Sequence, residues 1–206
     1  MPNAKISVHQ GDLPDDISFG DRVAIDTETL GLKPHRDRLC VVQLSAGDGT
    51  AHLVQIAQGQ TSAPNIQRLV EDPSVLKLFH FARFDVAILK KAFGVTTTPV
   101  FCTKIASKLA RTYTDRHGLK DLCSELVGVE LSKVQQSSDW AAKKLTDQQQ
   151  AYAASDVLHL HALHDKLQMM LAREGRTAFA EAAFSFLPTR CDLDLAGFED
   201  ADIFAH

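Results

Sequence analysis

Positive charge is what this sequence has little of: 22 Lys and Arg stand against 26 Asp and Glu, a net charge of −4. Proteins that hold long nucleic acid usually neutralise many phosphates with a basic surface. A nucleic-acid ligand here would therefore be short, or would meet a local basic patch. Long apolar runs are also missing. None approaches the roughly 18 residues that a membrane helix needs. Met1-Pro2-Asn3-Ala4-Lys5 leads into no apolar stretch of the signal-peptide kind. The expectation is a cytoplasmic protein with no membrane partner. The four cysteines, Cys40, Cys102, Cys123 and Cys191, include no CxxC pair and no His at zinc-finger spacing. They read as reduced, mostly buried thiols, not as a disulfide framework. Repeats and low-complexity segments are absent too.

What is there fits one globular domain. The chain has 206 residues, 45% of them hydrophobic, enough to bury a sizeable core. Arg22-Val23-Ala24-Ile25 runs into Asp26 as a buried strand. Leu39 to Ser45 and Ala51 to Ile56 are further β-rich runs, split by the turn signal Ala46-Gly47-Asp48-Gly49. These three strands form an expected antiparallel meander. A loop from Gln58 to Pro64, a short helix to about Glu71 and a strand over Val75 to Phe79 follow. The next helix reaches Phe93, with Gly94 as its stop. Helical spacing recurs over Cys102 to Ala110 and from Leu119 to Val127, closed by Gly128. Thr146 and Gln149 form a capping box. It opens the longest expected helix, whose apolar face runs from Tyr152 to Leu171. A last helix, Thr177 to Phe184, is expected to end by Pro188. Strands first and helices later make an α/β domain with a mixed sheet. The stretch from Cys191 to His206 carries five acids and no Lys or Arg, together with Leu193, Leu195, Phe198, Ile203 and Phe204. Those apolar residues set it apart from a solvated tail. The division is therefore a domain over 1–187 and a tail over 188–206 that docks on its own domain or on a neighbouring subunit.

Three clusters could carry chemistry. Asp26-Thr27-Glu28 places two carboxylates on one face of a strand. Crowded carboxylates are costly unless a cation shares them, and Mg²⁺ and Mn²⁺ prefer oxygen ligands. The same pattern also fits two solvated acids where a strand meets a loop. Asp85 ends His80-Phe81-Ala82-Arg83-Phe84-Asp85, in the first turn of a helix, where the helix dipole also favours an acid. Tyr152 and Asp156, four apart, share a helix face that is otherwise apolar, an unusual place for an unpartnered Asp.

The order of these signals is more specific than any one of them. A DxE on the first expected strand, an Asp entering the helix after the fourth, and YxxxD on a late helix resemble the DEDD exonuclease superfamily, in its DEDDy branch. His117-Gly118-Leu119-Lys120-Asp121-Leu122 and Ser137-Ser138-Asp139-Trp140 are similar to ribonuclease D in particular. The resemblance covers residues 20 to 172. It implies an RNase H-like fold: a mixed five-stranded sheet flanked by helices, with a helical C-terminal part. It implies a 3′→5′ exonuclease using two divalent ions, Mg²⁺ or Mn²⁺. Asp26 would bridge the ions, Glu28 and Asp156 would hold the one that binds the attacking water, and Asp85 would help hold the other. Tyr152 would orient that water and help deprotonate it, with the metal doing most of the acidification. The chain is shorter than ribonuclease D with its helical RNA-binding domains, and so resembles the nanoRNase C type. That type cuts short single-stranded RNA and dinucleotides and assembles as rings of eight, so a homo-oligomer is expected. Leu32 falls where short-substrate members wedge a leucine between the last two bases, although ordinary loop packing explains it equally. Thr27, His80 and Phe81 complete the candidate substrate pocket. Phe81 departs from the ribonuclease D pattern, which has Asn there. Arg111, Arg116, His117 and Lys120 are the best basic cluster for a phosphate. The competing readings are a 3′ exonuclease on longer RNA or single-stranded DNA, and a non-catalytic nucleic-acid-binding module.

Overall fold

The computed structural model describes residues 4–132 and 138–206. Met1-Pro2-Asn3 and Ser137 of the ribonuclease D-like segment lie outside them. The strands are β1 (Lys5–Gln10), β2 (Arg22–Thr29), β3 (Leu39–Ser45), β4 (Thr50–Gln55), β5 (Leu76–Phe79) and β6 (Val100–Cys102). They form one sheet in the order β1-β4-β3-β2-β5-β6. β2, β3 and β4 are the expected antiparallel meander. β1 runs parallel to β4, β5 to β2, and β6 to β5. The sheet is mixed and flanked by helices as expected, with six strands where five were expected. The meander's turn brings Gly47 against the His161 ring, where a Cβ would lie 2.5 Å away, at φ 77°. Only glycine fits both conditions.

The helices are α1 (Pro64–Glu71), α2 (Ala82–Phe93), α3 (Thr103–Ala110), α4 (Leu119–Leu122), α5 (Asp147–Leu158), α6 (Leu160–Arg173) and α7 (Thr177–Leu193). α4 continues into a wider π-type turn, Cys123–Val127, stopped by Gly128. The capping box at Thr146 forms: Gln149 N–H donates to Thr146 Oγ1 at 3.2 Å, and Thr146 N–H to Gln149 Oε1 at 3.0 Å.

Two expectations are corrected. The single long helix is two, broken at His159 (φ −110°, ψ −3°). α5 buries Gln149, Ala153, Ala154 and Val157 over β2, β3 and β4, whereas α6 packs Leu160, Leu163, Leu167 and Leu171 toward α3, β2 and β5. One straight rod cannot cover both surfaces. Nor does Pro188 end the last helix, which runs on to Leu193. Proline forfeits one backbone bond there. The buried stripe Ala180, Phe184, Leu187 and Cys191 continues past it against α2. Beyond α7, Asp194 takes a two-pronged bond from Arg83 (2.6 and 2.8 Å) and a third contact from Arg190 at 2.9 Å. These contacts tie Asp194, just past the end of α7, to α2 and α7.

Candidate active site

The centre of the site follows from the two-residue period of β2. Asp26 and Glu28 project from one face of that strand, and α5 crosses the same face with Asp156 and Tyr152. Ligand atoms of Asp26, Glu28 and Asp156 lie within 4.8 Å of one another. Asp85 sits in the first turn of α2, only 3% exposed, and accepts a bond from Thr27 Oγ1 at 2.7 Å. Thr27 is therefore buried with its hydroxyl spent on Asp85. Sequence reasoning had placed it against substrate.

The electrostatics follow from burial and like charge. Burial raises Asp26, partly offset by the Thr27 backbone N–H. Burial, and then Asp26, Asp156 and Asp85, push Glu28 up to about 10. Burial followed by Asp26 raises Asp156 and Asp85, opposed by the Tyr152 and Thr27 hydroxyls respectively. Every charge acting on Glu28 is another carboxylate. Such a group stays ionised only if a cation joins it. Three convergent hard oxygen ligands, with a fourth acid behind them, fit a divalent ion of the Mg²⁺ or Mn²⁺ kind. Burial, then Asp156, Glu28 and Asp26, hold the Tyr152 phenol well above its usual value. Its ring lies 6.0 Å from that of the buried Trp140, tilted by 38°.

The other candidates divide into two places. Leu32, 85% exposed on the β2–β3 loop, lines a cleft with Phe81, Arg83, Asp194 and Glu199. Phe81 caps α2 at φ 69°, the one positive φ outside glycine among the described residues. That geometry is strained for an aromatic residue, and it presents a half-exposed ring with Lys104 Nζ 4.3 Å from its centre. His80 is enclosed instead: its Nδ1 meets Thr103 Oγ1 at 2.9 Å, and burial, with Lys104 nearby, lowers it to about 3. It is neutral and turned to the scaffold. The basic cluster is largely spent within the chain. Arg111 is fully buried and pairs with Glu125, Arg116 pairs with Asp121 at 2.7 Å, and His117 Nδ1 meets Ser107 Oγ at 2.8 Å. Two further cations stand beside Phe81 and the cleft, Lys104 and Arg83, the latter bonded to Asp194. Arg83 stood inside the quoted His80–Asp85 segment. Nothing local marks Lys104, because its contact with Phe81 spans two elements.

Comparison with known proteins agrees with this geometry. A family model described as 3′-5′ exonuclease matches residues 12–172. Ribonuclease D of Granulibacter bethesdensis is 36% identical over 165 residues, 80% of this chain and 41% of that protein. The chain thus spans about two fifths of the length of that curated relative. Among solved structures, Brucella melitensis NrnC bound to pGG superposes with a TM-score of 0.95 at 62% identity over 98% of both chains. The same protein with bound Mg²⁺ gives 0.94 at 61%, over 98% of this chain and 99% of that one.

Proposed function

This chain belongs to the 3′-5′ exonuclease family, and from that premise we propose that it hydrolyses short oligoribonucleotides and dinucleotides to 5′-mononucleotides with two divalent ions, Mg²⁺ or Mn²⁺. The observation that carries the reading is the convergence of Asp26, Glu28 and Asp156 within 4.8 Å, with Asp85 tied to the same strand through Thr27. Support for the substrate comes from the likeness to NrnC, whose solved structures include one bound to pGG and one with Mg²⁺. A net charge of −4 also suits a ligand with few phosphates.

In this reading Asp26, Glu28 and Asp156 would hold the ions, with Asp85 as a further acid ligand. Bound divalent ions supply Lewis-acid stabilisation of the scissile phosphate and make the attacking water more acidic. Without bound ions, burial and the neighbouring acids hold the Tyr152 phenol above its usual value. Its role is to orient the water by hydrogen bonding and to help take its proton, with the ions doing most of the acidification. Leu32 projects from its loop toward the cleft and separates the two bases. Phe81 stacks on one of them, and Lys104 beside its ring meets a phosphate. His80 supports this wall by holding Thr103.

No helix among the described residues is long and apolar enough to cross a membrane. The exposed Met169, Phe179, Phe198, Ile203 and Phe204 suit a homo-oligomer, an octamer by the family resemblance, which light scattering would measure. A second reading, cleavage of longer RNA, draws on the ribonuclease D relatives. End-labelled RNAs from the dinucleotide upward, with Mg²⁺, Mn²⁺ or a chelator, separate the two. The proposal expects fastest turnover of the shortest substrates and none with chelator. Equal or faster cutting of long RNA would overturn the short-substrate preference.

A further inference from the structure

Leu32 lines the cleft from an exposed position on the β2–β3 loop. A side chain so exposed has little packing of its own to fix it. The base of the loop is closed from within: Asp37 Oδ2 accepts from the Lys33 N–H at 2.9 Å, and the Asp37 N–H donates to the Lys33 carbonyl at 2.8 Å. Its tip is held from outside. Lys33, next to Leu32, points Nζ at Glu199 Oε1 3.4 Å away, and His35 Nδ1 lies 3.6 Å from Glu199 Oε2. Glu199 is in turn fixed by its backbone. Its carbonyl accepts from Arg83 Nη2 and, at 3.0 Å, from Arg190 Nη2, which also donates to the Phe198 carbonyl at 2.8 Å. The same two guanidinium groups hold Asp194. Arg83 stands in the first turn of α2, two residues before Asp85. The carboxylate that meets the loop is thus anchored to the helix turn that carries one of the site's four acids.

We propose that Glu199 is a positioning residue: its carboxylate clasps Lys33 and His35 and sets where Leu32 stands relative to the acid cluster. The inference rests on the reading of Leu32 as a wall of the base pocket. It assigns Glu199 no contact with substrate, and it gives Lys33 and His35 to the tail, toward which both are turned, instead of to a phosphate. The pairs are partly exposed, with side-chain exposures of 47% for Lys33 and 44% for His35 against 24% for Glu199. Ion pairs in such settings shift an equilibrium only about 2–5-fold. That is too little to hold the fold together and enough to bias the position of one loop.

The test combines two measurements: steady-state hydrolysis of a dinucleotide at saturating Mg²⁺, and amide hydrogen exchange over residues 30–38 in chelator without substrate. The proteins compared are the natural chain, Glu199→Gln, Glu199→Lys, the charge-swapped pair Lys33→Glu with Glu199→Lys, and Leu32→Ala. Glutamine keeps the shape of Glu199 and removes its charge. It should raise KM about 2–5-fold and speed loop exchange by a similar factor. Its kcat should stay near that of the natural chain, and its melting temperature within about 2–4 °C. Glu199→Lys should raise KM further, since it sets like charge beside Lys33. The charge-swapped pair should recover both readouts, because the contact is remade with its signs reversed. A phosphate contact by Lys33 would not be recovered in that way. Unmoved KM or unmoved loop exchange in Glu199→Gln, while Leu32→Ala raises KM, would overturn the clasp alone. So would a charge-swapped pair no better than Glu199→Lys. Leu32→Ala with the natural KM would overturn the pocket-wall reading on which the clasp rests.

Discussion

Replacing Glu28 by Gln should stabilise the metal-free protein while abolishing its hydrolysis. Glu28 is held near 10 by burial, first of all, and then by Asp26, Asp156 and Asp85. The folded protein therefore keeps a proton that the unfolded chain releases above 4.5. Stability contributed by this group is intact below pH 4.5 and is lost progressively as pH rises toward 10. At pH 7 the loss depends on the distance from 4.5 alone: about 2.5 pH units at about 1.4 kcal/mol each, or up to about 3.5 kcal/mol. Glutamine keeps the shape and removes the titration. For a chain of this size about 1 kcal/mol moves the melting temperature by roughly 2–4 °C, so Glu28→Gln should melt up to about 7–14 °C higher at pH 7 in chelator. The gap should close toward pH 4.5 and widen toward pH 8. Mn²⁺ should reverse the order, because ions that bind only the folded state stabilise it in proportion to their affinity, and a neutral amide is a poorer ligand than the carboxylate it replaces. Melting curves of both proteins across this pH range, with chelator and with Mn²⁺, supply the comparison. A variant that melts no higher than the natural chain in chelator at every pH would refute the reasoning that these acids are mutually destabilising.

Tyr152→Phe removes the hydroxyl bonded to Asp156 but leaves the ring against Trp140. Stability should change by no more than about 1 kcal/mol, while turnover should fall about 10²-fold or more, and an unchanged kcat would remove Tyr152 from the mechanism. Phe81→Gly relieves a left-handed backbone at φ 69° and loses an exposed ring. Unfolding should show equal or greater stability, and KM should rise about 10-fold for the lost stacking. Asp194→Ala leaves Arg83 and Arg190 without their shared carboxylate. It should destabilise the fold by about 3 kcal/mol, measured by denaturant unfolding, and a loss below about 0.5 kcal/mol would mean the tail contributes little to the domain.

Much of the site was legible because it obeys local periods. Asp26 and Glu28 share a face because a strand repeats every two residues, and Tyr152 and Asp156 because a helix turn spans nearly four. Both patterns survive without knowledge of the partner elements. Asp85 was legible as a first-turn acid, but the structure buries it against Thr27, which a dipole argument alone would not have done. The misread features are long-range. β6 has three residues, and β1 is an edge strand whose pairing is parallel to β4. The break at His159 follows from the two surfaces that α5 and α6 cover, with no Gly or Pro to announce it.

The amino-acid order alone determined the α/β class, the antiparallel meander, the helix start at Thr146 and the family, because each depends on contacts within a few residues or on residue identity. Only the tertiary structure decided that Asp26, Glu28 and Asp156 converge within 4.8 Å, that Gln43 is buried opposite Asp26, and that Arg111 is interior while Lys104 lies over Phe81. Those facts depend on strand register and on helix packing across distant segments. A shift of one residue in the β2–β3 ladder would leave every local signal unchanged and turn these acids to the other face.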